Sequence, residues 1–408
     1  MQMRVYGHKK LFYVFTSAGK YVWSLHGDVG ELSTFMGTLA AILFKFHHYF
    51  PGVTDTLRYM QSADMVIVAL CTEALWYVCI SKTNESVRSL RNQLNLLHSK
   101  IISTLTENIT TLLVSRPNYD AHHLLGGTDN ALSALMRNAK WSPGFMEGYQ
   151  PVRLPAALRN QVMGSFKSHA NEDLVFGFLL TQNHVLHHYA ERDATVRPFD
   201  VVMLVNLLSS NSSLRSSMTW TPICLPGYSD QGFLYAYISF FKNSPIGLAL
   251  LSTNANAFNP LKAAGDLIQS DLTEILQPLE EALKACPYPA SATGIKELRH
   301  FVFQPKNSAQ YTMSGFDPAL KIGELRKDAF DRLLRRYYSI HAHLLQEGER
   351  SRYTRLDTYR NEIVLCTTSP EGTLLAAFKS LTPTIQVMQA VNTLLRWLRA
   401  EEASLFIK

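Results

Sequence analysis

The feature that most narrows the fold is an order of strand and helix signals that the chain runs through three times. LFYVFTSAGKYVWSLHG (residues 11–27) reads as two strands about a Ser-Ala-Gly-Lys turn, because β-branched and aromatic runs flank a glycine-containing break. A helix is expected from about Glu31, then strands at LRYM, MVIVALC and LWYVCIS, then a helix over 84–105, giving ββαβββα. The same order returns in LVFGFLLTQNHVLHHYA (174–190), a helix over 198–210, strands TWTPICL, GFLYAYISFF and IGLALLST, and a helix over about 259–276. A third round opens at RHFVFQPKNSAQYTM (299–313), passes through the helix KDAFDRLLRRYYSIHAHLL and strands near RYTRLDTY, NEIVLCTT and GTLLAAFKS, and closes on the helix TIQVMQAVNTLLRWLRAEEASLF. Three copies of one small unit best explain a chain of 408 residues. The fold class expected is α/β (α+β), with domains at 1–117, 173–288 and 289–408. Residues 118–172 form a helical connector, too apolar at Leu132, Leu135, Met136 and Trp141 for a free linker.

Hydrophobic residues make up 47% of the chain and charged ones 18%, a surplus of apolar surface that points to partners. No run reaches the roughly 18 apolar residues of a membrane-crossing helix, and MQMRVYGHKK does not read as a signal peptide. Five widely spaced cysteines, mostly within apolar runs, read as reduced thiols of a cytosolic protein, so the sequons at Asn84, Asn108 and Asn211 carry no glycan. The net charge of +6 is concentrated at one end: residues 289–408 hold 17 Lys/Arg against 12 Asp/Glu. Nucleic acid is not the expected partner, because no aromatic RNA motif, zinc pattern or basic helix accompanies the charge. An anionic membrane surface or an acidic partner fits it better.

The two helices of the first copy differ in kind. Over 84–105, Val87, Leu90, Leu94, Leu97, Ile101 and Leu105 recur at three and four residues, with Arg88, Arg91, Asn95 and Lys100 opposite, which predicts a helix lying on a sheet. Over 31–49, Leu32, Met36, Leu39 and Leu43 form one apolar stripe, and Phe35, Ile42, Phe46 and Tyr49 form a second. One small domain covers only one face of such a helix. The second face is therefore expected to meet another chain, with Thr38, Ala41 and Lys45 at its rim; the alternative is that the connector folds over it.

TWTPICL sets two prolines in an apolar run. Pro222 and Pro226 lack the N–H that a central strand donates, so this strand belongs at a sheet edge or ends there. Edge strands are commonly blunted by charge, and none lies between Thr219 and Tyr228. Trp220, with Pro222 beside it, is either an anchor for a partner or a member of the second copy's own core.

Patterns for covalent chemistry are missing: there is no G-x-S-x-G, no Walker G-x-x-x-x-G-K-[ST] and no G-x-G-x-x-G. Ser17-Ala18-Gly19-Lys20 joins two strands and opens no helix, so it makes no phosphate cradle. The pairs His47/His48, His122/His123 and His187/His188 have no Cys or carboxylate at ligand spacing, and Glu280/Glu281 and Glu401/Glu402 read as solvated helix faces. No catalytic residue, metal or cofactor is expected. One cluster remains: Arg332, Arg335 and Arg336 project within about a turn of each other, near Lys327, and Arg350, Arg352 and Arg355 follow. It fits phosphoinositide headgroups, each basic residue near an anionic surface being worth about 1 kcal/mol. As a solvated face it would instead pair with Asp328 and Asp331.

The segments HKKLFYVFTSAGKYVWSLHGD, RPFDVVMLVNLLSSNSSL, WTPICLPGYSDQGFLYAYISFF, GIKELRHFVFQP and LLRWLRAEEASLFI resemble, in the same order, the signature segments of the Mon one family of vacuolar and endosomal fusion proteins. The resemblance runs from about Gly7 to the end. It implies three longin domains, each the ββαβββα unit, and pairing with the Ccz one protein, itself a three-longin chain. It further implies that the heterodimer is a guanine nucleotide exchange factor for the late-endosomal Rab GTPase, Rab seven, acting in endosome maturation, vacuole or lysosome fusion and autophagy. By position, the Rab-binding platform falls on the first copy, which makes Phe35, Thr38, Ala41, Ile42, Lys45 and Phe46 its candidates. The tryptophan of the family's WTP motif, matching Trp220, is linked to the early-endosomal Rab five, and metazoan members bind a third subunit. A cytoplasmic protein recruited peripherally to endosome and lysosome or vacuole membranes is implied.

A non-exchanging tether or scaffold of the wider three-longin group, such as the Hermansky-Pudlak proteins, is the alternative, against which WTPICLP argues. Two departures from the family are expected to matter: the chain starts almost at the first strand, without the long polar extension of many members, and it stops at LFIK where relatives continue. An exchange factor needs no acid, base or nucleophile. It binds the nucleotide-free GTPase better than the loaded one and, by linkage, weakens nucleotide and magnesium binding to the same extent.

Overall fold

Along the first strand Leu11, Tyr13 and Phe15 face one way and Phe12 and Val14 the other, and all five are buried, as a strand covered on both faces requires. The structure is a computed structural model and describes residues 8–26, 29–49, 57–83, 85–139, 148–181, 183–210, 212–215, 217–316, 323–346 and 353–408. The first copy runs β1 (Lys10–Thr16), β2 (Tyr21–Ser24), α1 (Val29–Tyr49), β3 (Tyr59–Gln61), β4 (Val66–Cys71), β5 (Leu75–Ser81) and α2 (Val87–Leu105). The last strand returns to pair with the first, so the sheet order is β2-β1-β5-β4-β3, antiparallel throughout. α1 lays Met36, Leu39 and Leu43 against Tyr13, Phe15 and Trp76. α2 starts where the Ser86 hydroxyl accepts the Ser89 N–H at 3.2 Å, and it buries Leu90, Leu94, Leu97 and Ile101 while packing on β4 and β5.

α3 (Asn108–Ser115), a short 3-10 turn at His122–Leu125 and α4 (Asp129–Ala139) come next. The connector is structured as its composition demands, with Leu132, Leu135 and Met136 buried; Trp141 lies outside the described residues. These pieces pack on α2, which corrects one expectation. Periodicity puts Lys100 on the solvent side of α2, yet it is only 7% exposed, and desolvation lowers its pKa from the ordinary lysine value. The helix is covered by the connector as well as by the sheet.

The second copy follows α5 (Ala156–His169) and runs β6 (Phe176–Leu180), β7 (Val185–Ala190), α6 (Pro198–Ser210), β8 (Thr219–Ile223), β9 (Leu234–Phe240), β10 (Gly247–Ser252) and α7 (Phe258–Thr273), in sheet order β7-β6-β10-β9-β8. The expected helix end near residue 276 falls at Thr273, and a further helix, α8 (Leu276–Lys284), takes up there. The third copy runs β11 (Leu298–Pro305), β12 (Thr312–Met313), α9 (Gly323–Gln346), β13 (Tyr353–Thr358), β14 (Glu362–Ser369), β15 (Gly372–Lys379) and α10 (Thr384–Ala400), with sheet order β12-β11-β15-β14-β13, and ends in a short α11 (Glu402–Leu405). Gly372 opens β15 at φ 155°, where a Cβ would stand 2.1 Å from the Gln304 carbonyl oxygen, so a side chain has no room.

The chain divides into two compact units, Met1–Phe145 with Cys224–Gly232, and Met146–Ile223 with Phe233–Lys408. In the first, the Ser103 hydroxyl donates to the Cys224 carbonyl at 2.8 Å and the Glu107 N–H donates to the Asp230 carbonyl at 2.9 Å. In the second, Arg159 on α5 is 5% exposed. Its guanidinium donates to four carbonyls: Ala403 (Nε, 3.1 Å), Leu186 (Nη1, 3.2 Å), and Val152 and Ser404 (Nη2, 2.7 and 2.8 Å). One cation thus joins α5, β7 and α11. All five cysteines are free thiols. Burial pushes Cys79 in β5 and Cys366 in β14 up to about 12, and Cys71 and Cys286 up to about 11.

Candidate functional site

The two stripes of α1 have different fates. Met36, Leu39, Ala40 and Leu43 sit in the core, while Ile42 is 41% exposed and Phe46 is exposed with it. Tyr49 is 72% exposed, and Thr38, Ala41 and Lys45 face solvent among them. Phe35 lies in the helix, its side chain outside the described residues. Phe44, 58% exposed, lies on the other flank of the buried line and is missed by a reading based on two stripes. A wheel centred on the buried line 36-39-40-43 would have found it. Among the described residues of the connector, α4 and the 3-10 turn pack on α2, and α5 packs on α7 and β7. An uncharged apolar surface, edged by Lys45, is what a helix offers to a protein groove rather than to water.

β8 is the edge strand of the second sheet, where its prolines require it to be. Pro222 pairs opposite Tyr235 and is exposed. Trp220 resolves between the two readings as a half-buried residue. Its ring stacks on Tyr235 with centroids 5.9 Å apart and meets Phe258 edge-on at 5.8 Å, against the core of the second copy. Trp220→Ala will therefore lower the stability of the second unit by about 2 kcal/mol, whereas Pro222→Lys at the exposed position will change it by less than about 0.5 kcal/mol. Denaturant titration of the two variants distinguishes the roles; equal stabilities would place Trp220 outside the core.

The described members of the basic cluster have different surroundings. Arg336 forms an ion pair with Glu362 of β14, whose side chain is 7% exposed, and lies 4.2 Å over the Tyr359 ring. Its charge is used inside the third copy, which sequence spacing cannot foresee because the carboxylate arrives from a strand 26 residues away. Arg335 Nε donates to the Asp331 carbonyl at 3.2 Å, Arg355 Nε pairs with Asp357 at 3.0 Å, and Arg332 is exposed. Arg350, Arg352 and the side chain of Lys327 lie outside the described residues.

Among the described residues the histidine pairs assemble no metal site, and the side chains of His47 and His48 lie outside them. His122 Nδ1 meets the Val22 carbonyl at 3.0 Å. His187 and His188 on β7 are held neutral chiefly by burial, at about 3 and about 4. Among the described residues no group of three His, Cys, Asp or Glu is placed to hold a metal ion, and no helix is long and apolar enough to cross a membrane.

Three five-stranded antiparallel sheets, each traced ββαβββα with helices between the second and third strands and after the fifth, define a tandem-longin protein. The profiles of the first, second and third longin domains of FUZ, MON1 and HPS1 match residues 10–135, 172–269 and 297–402 in that order. The chain belongs to the MON1 family. It is 29% identical to Protein SAND of Takifugu rubripes over 405 residues, covering 98% of this chain and 76% of that protein. It is 27% identical to the Vacuolar fusion protein MON1 homolog of Oryza sativa subsp. japonica over 433 residues, covering 98% and 75%. Against the Vacuolar fusion protein MON1 homolog A of Homo sapiens it is 28% identical over 405 residues, covering 98% and 61%.

Proposed function

We propose that this chain acts in vacuole or lysosome fusion as one subunit of a heterodimeric guanine nucleotide exchange factor for the late-endosomal Rab GTPase, Rab seven. Its obligate partner is the three-longin Ccz one protein, and it is recruited to the cytoplasmic face of endosomes through Rab five at the β8 edge, where Pro222 and the outer side of Trp220 are presented. Metazoan-type complexes add a third subunit. Family membership and the relatives named vacuolar fusion proteins support the trafficking role. The observation that carries the exchange reading is the exposed apolar face of α1, with Ile42 at its centre and Lys45 at its edge. A half-platform of this kind is complete only when a second longin chain lies beside it. The assembled surface binds the nucleotide-free GTPase in preference to the loaded form, so the chemistry is a shift in equilibrium and requires no covalent step.

Release of a fluorescent guanine nucleotide from Rab seven tests this. The chain with its partner will accelerate release, and the chain alone will not. A pair carrying Ile42→Asp and Lys45→Glu will assemble less tightly or lose roughly 10- to 100-fold in rate, the span expected when a central interface anchor is removed. Wild-type assembly and wild-type rate in that pair would remove α1 from the platform.

A further inference from the structure

The second copy carries a cavity of about 700 Å³ where β9 outruns its neighbour. β8 begins at Thr219, which pairs with Ile238, so Ser239 and Phe240 continue past the end of β8. Ser217 and Met218, leading into β8, form one wall, and α7 forms another through Asp266 and Gln269. The floor is built for polar contact. Ser239 is 6% exposed, and its hydroxyl accepts the Gln269 Nε2–H at 3.0 Å. Tyr237, also lining the cavity, is buried where α7 passes so closely that a Cβ on Gly265 would stand 2.7 Å from Tyr237 Cε1. Desolvation raises its pKa above the ordinary tyrosine value, while a hydrogen bond to Ser239 opposes the rise and the Asp266 carboxylate adds to it.

Two cations stand on the rim. Arg215 ends a 3-10 turn at Ser212–Arg215, and its guanidinium carbon lies 5.9 Å from the Phe240 ring centroid. Lys242 opens the turn between β9 and β10, which is closed by the Phe241 N–H donating to the Ile246 carbonyl and the Ser244 N–H donating to the Phe241 carbonyl, each at 3.1 Å. Both cations are exposed, and among the described residues neither is in an ion pair. Asp266, exposed as well, is the carboxylate of the lining. Two positive charges thus share one cavity with a single negative charge and a floor of hydroxyls, and Phe240, Met218 and Pro245 supply its apolar surface.

A lining of this composition has a definite complement. The planar fork of an arginine together with a lysine matches a doubly charged oxyanion, which a lone carboxylate would match only in part. Asp266 repels that end of a ligand and accepts from hydroxyl or amino donors at the other. The volume falls within the roughly 300–1,000 Å³ usual for small-molecule sites. We propose that the cavity binds a small organic phosphate, with Arg215 and Lys242 holding the phosphate and Asp266 and Ser239 holding a hydroxyl- or amino-bearing body against Phe240. Sugar phosphates and nucleotides share this chemistry. Ser217 and Met218 belong to the wall, so a bound ligand fixes the chain just ahead of Trp220. The proposal is independent of which GTPase, if any, the chain serves.

The test is isothermal titration of the full chain with ribose 5-phosphate and, separately, with adenosine diphosphate. At least one will bind at a single site, and inorganic phosphate will compete with it. Binding of ribose 5-phosphate identifies a sugar phosphate as sufficient, and binding of the diphosphate alone identifies a nucleotide. Arg215→Gln and Lys242→Gln will each raise the Kd about 10- to 100-fold, the loss expected for a hydrogen bond to a charged group. Asp266→Asn will also raise the Kd of the organic phosphate, about tenfold, yet leave inorganic phosphate bound as well as before or better, because it removes an acceptor for the body and a repulsion for the anion. All three side chains are exposed, so the melting transition of the unliganded variants will stay in place. No binding of either ligand at about 1 mM, or wild-type affinity in Arg215→Gln and Lys242→Gln, overturns the proposal. So does tighter binding of the organic phosphate by Asp266→Asn, which would reduce the effect to net charge.

Discussion

Arg159→Ala will lower the melting transition of the second unit by roughly 8–16 °C, because it removes a buried cation and its hydrogen bonds to four carbonyls, those of Val152, Leu186 and Ser404 in buried surroundings, a cost of about 4 kcal/mol in a unit of this size. Burial lowers the guanidinium only to about 10, so it stays charged at neutral pH and its hydrogen bonds are charge-assisted. The acceptors come from Val152 before α5, Leu186 in β7 and Ala403 and Ser404 at the C-terminal end of the chain. Leu154 N–H shares the Ser404 carbonyl at 2.9 Å. Lysine at this position keeps the charge but cannot fork toward four oxygens at fixed positions, so Arg159→Lys will recover only part of the loss. Differential scanning calorimetry of the full chain reads both variants. A transition unmoved by Arg159→Ala would mean that water replaces the guanidinium at little cost.

Acidification from pH 7 to pH 5 will weaken the same unit by roughly 4 kcal/mol, from two buried histidines alone. His187 and His300 are each depressed to about 3, chiefly by desolvation, with the neighbouring His188 ring and the positive charges of Arg159 and Lys167 adding to the effect at His187. His300 Nδ1 meets the Tyr337 hydroxyl at 3.1 Å, and its Nε2, like His187 Nδ1, is buried with no hydrogen-bond partner among the described residues. In the unfolded chain both rings titrate near 6.5, so between about pH 3 and 6.5 the unfolded state binds more protons and stability falls as pH falls. At pH 5 that amounts to about 2 kcal/mol for each ring. His188 acts in the same direction, and His26 and His98, also lowered by burial, give the first unit a dependence of the same sign. Urea titrations at the two pH values measure the loss, and His300→Gln should flatten the dependence. A stability constant across this window would show that the rings take up protons without leaving their places.

The architecture was legible because its signals are local and repeat. Proline placed β8 at an edge, a glycine-containing turn joined β1 to β2, and the strand-helix order showed through three divergent copies. The buried stripe of α1 was readable for the same reason. What escaped depends on contacts between segments far apart in sequence. Lys100 looks like any solvent-facing lysine until the connector helices lie over α2. Arg336 looks like one arginine of a cluster until Glu362 arrives beneath it. Arg159 gives no sign in sequence that it collects carbonyls from three places, and Arg215 and Lys242 look unrelated until two turns bring them to one cavity. The face of α1 lies between these cases: its periodicity announced a second apolar side, and Ile42, Phe46 and Tyr49 on that side are exposed in the fold.

The placement of the thiols makes the molecule its own clock. Cys79 lies in the central strand of the first sheet and Cys366 in an inner strand of the third, one in each compact unit, and both are fully buried. With its thiol pushed up to about 12, neither meets an alkylating reagent as a thiolate until its own sheet opens. Mass-resolved labelling of the two peptides over time therefore times the opening of each unit separately in the intact chain, and binding of a second longin chain to α1 should slow the Cys79 clock while leaving the Cys366 clock running at its former rate.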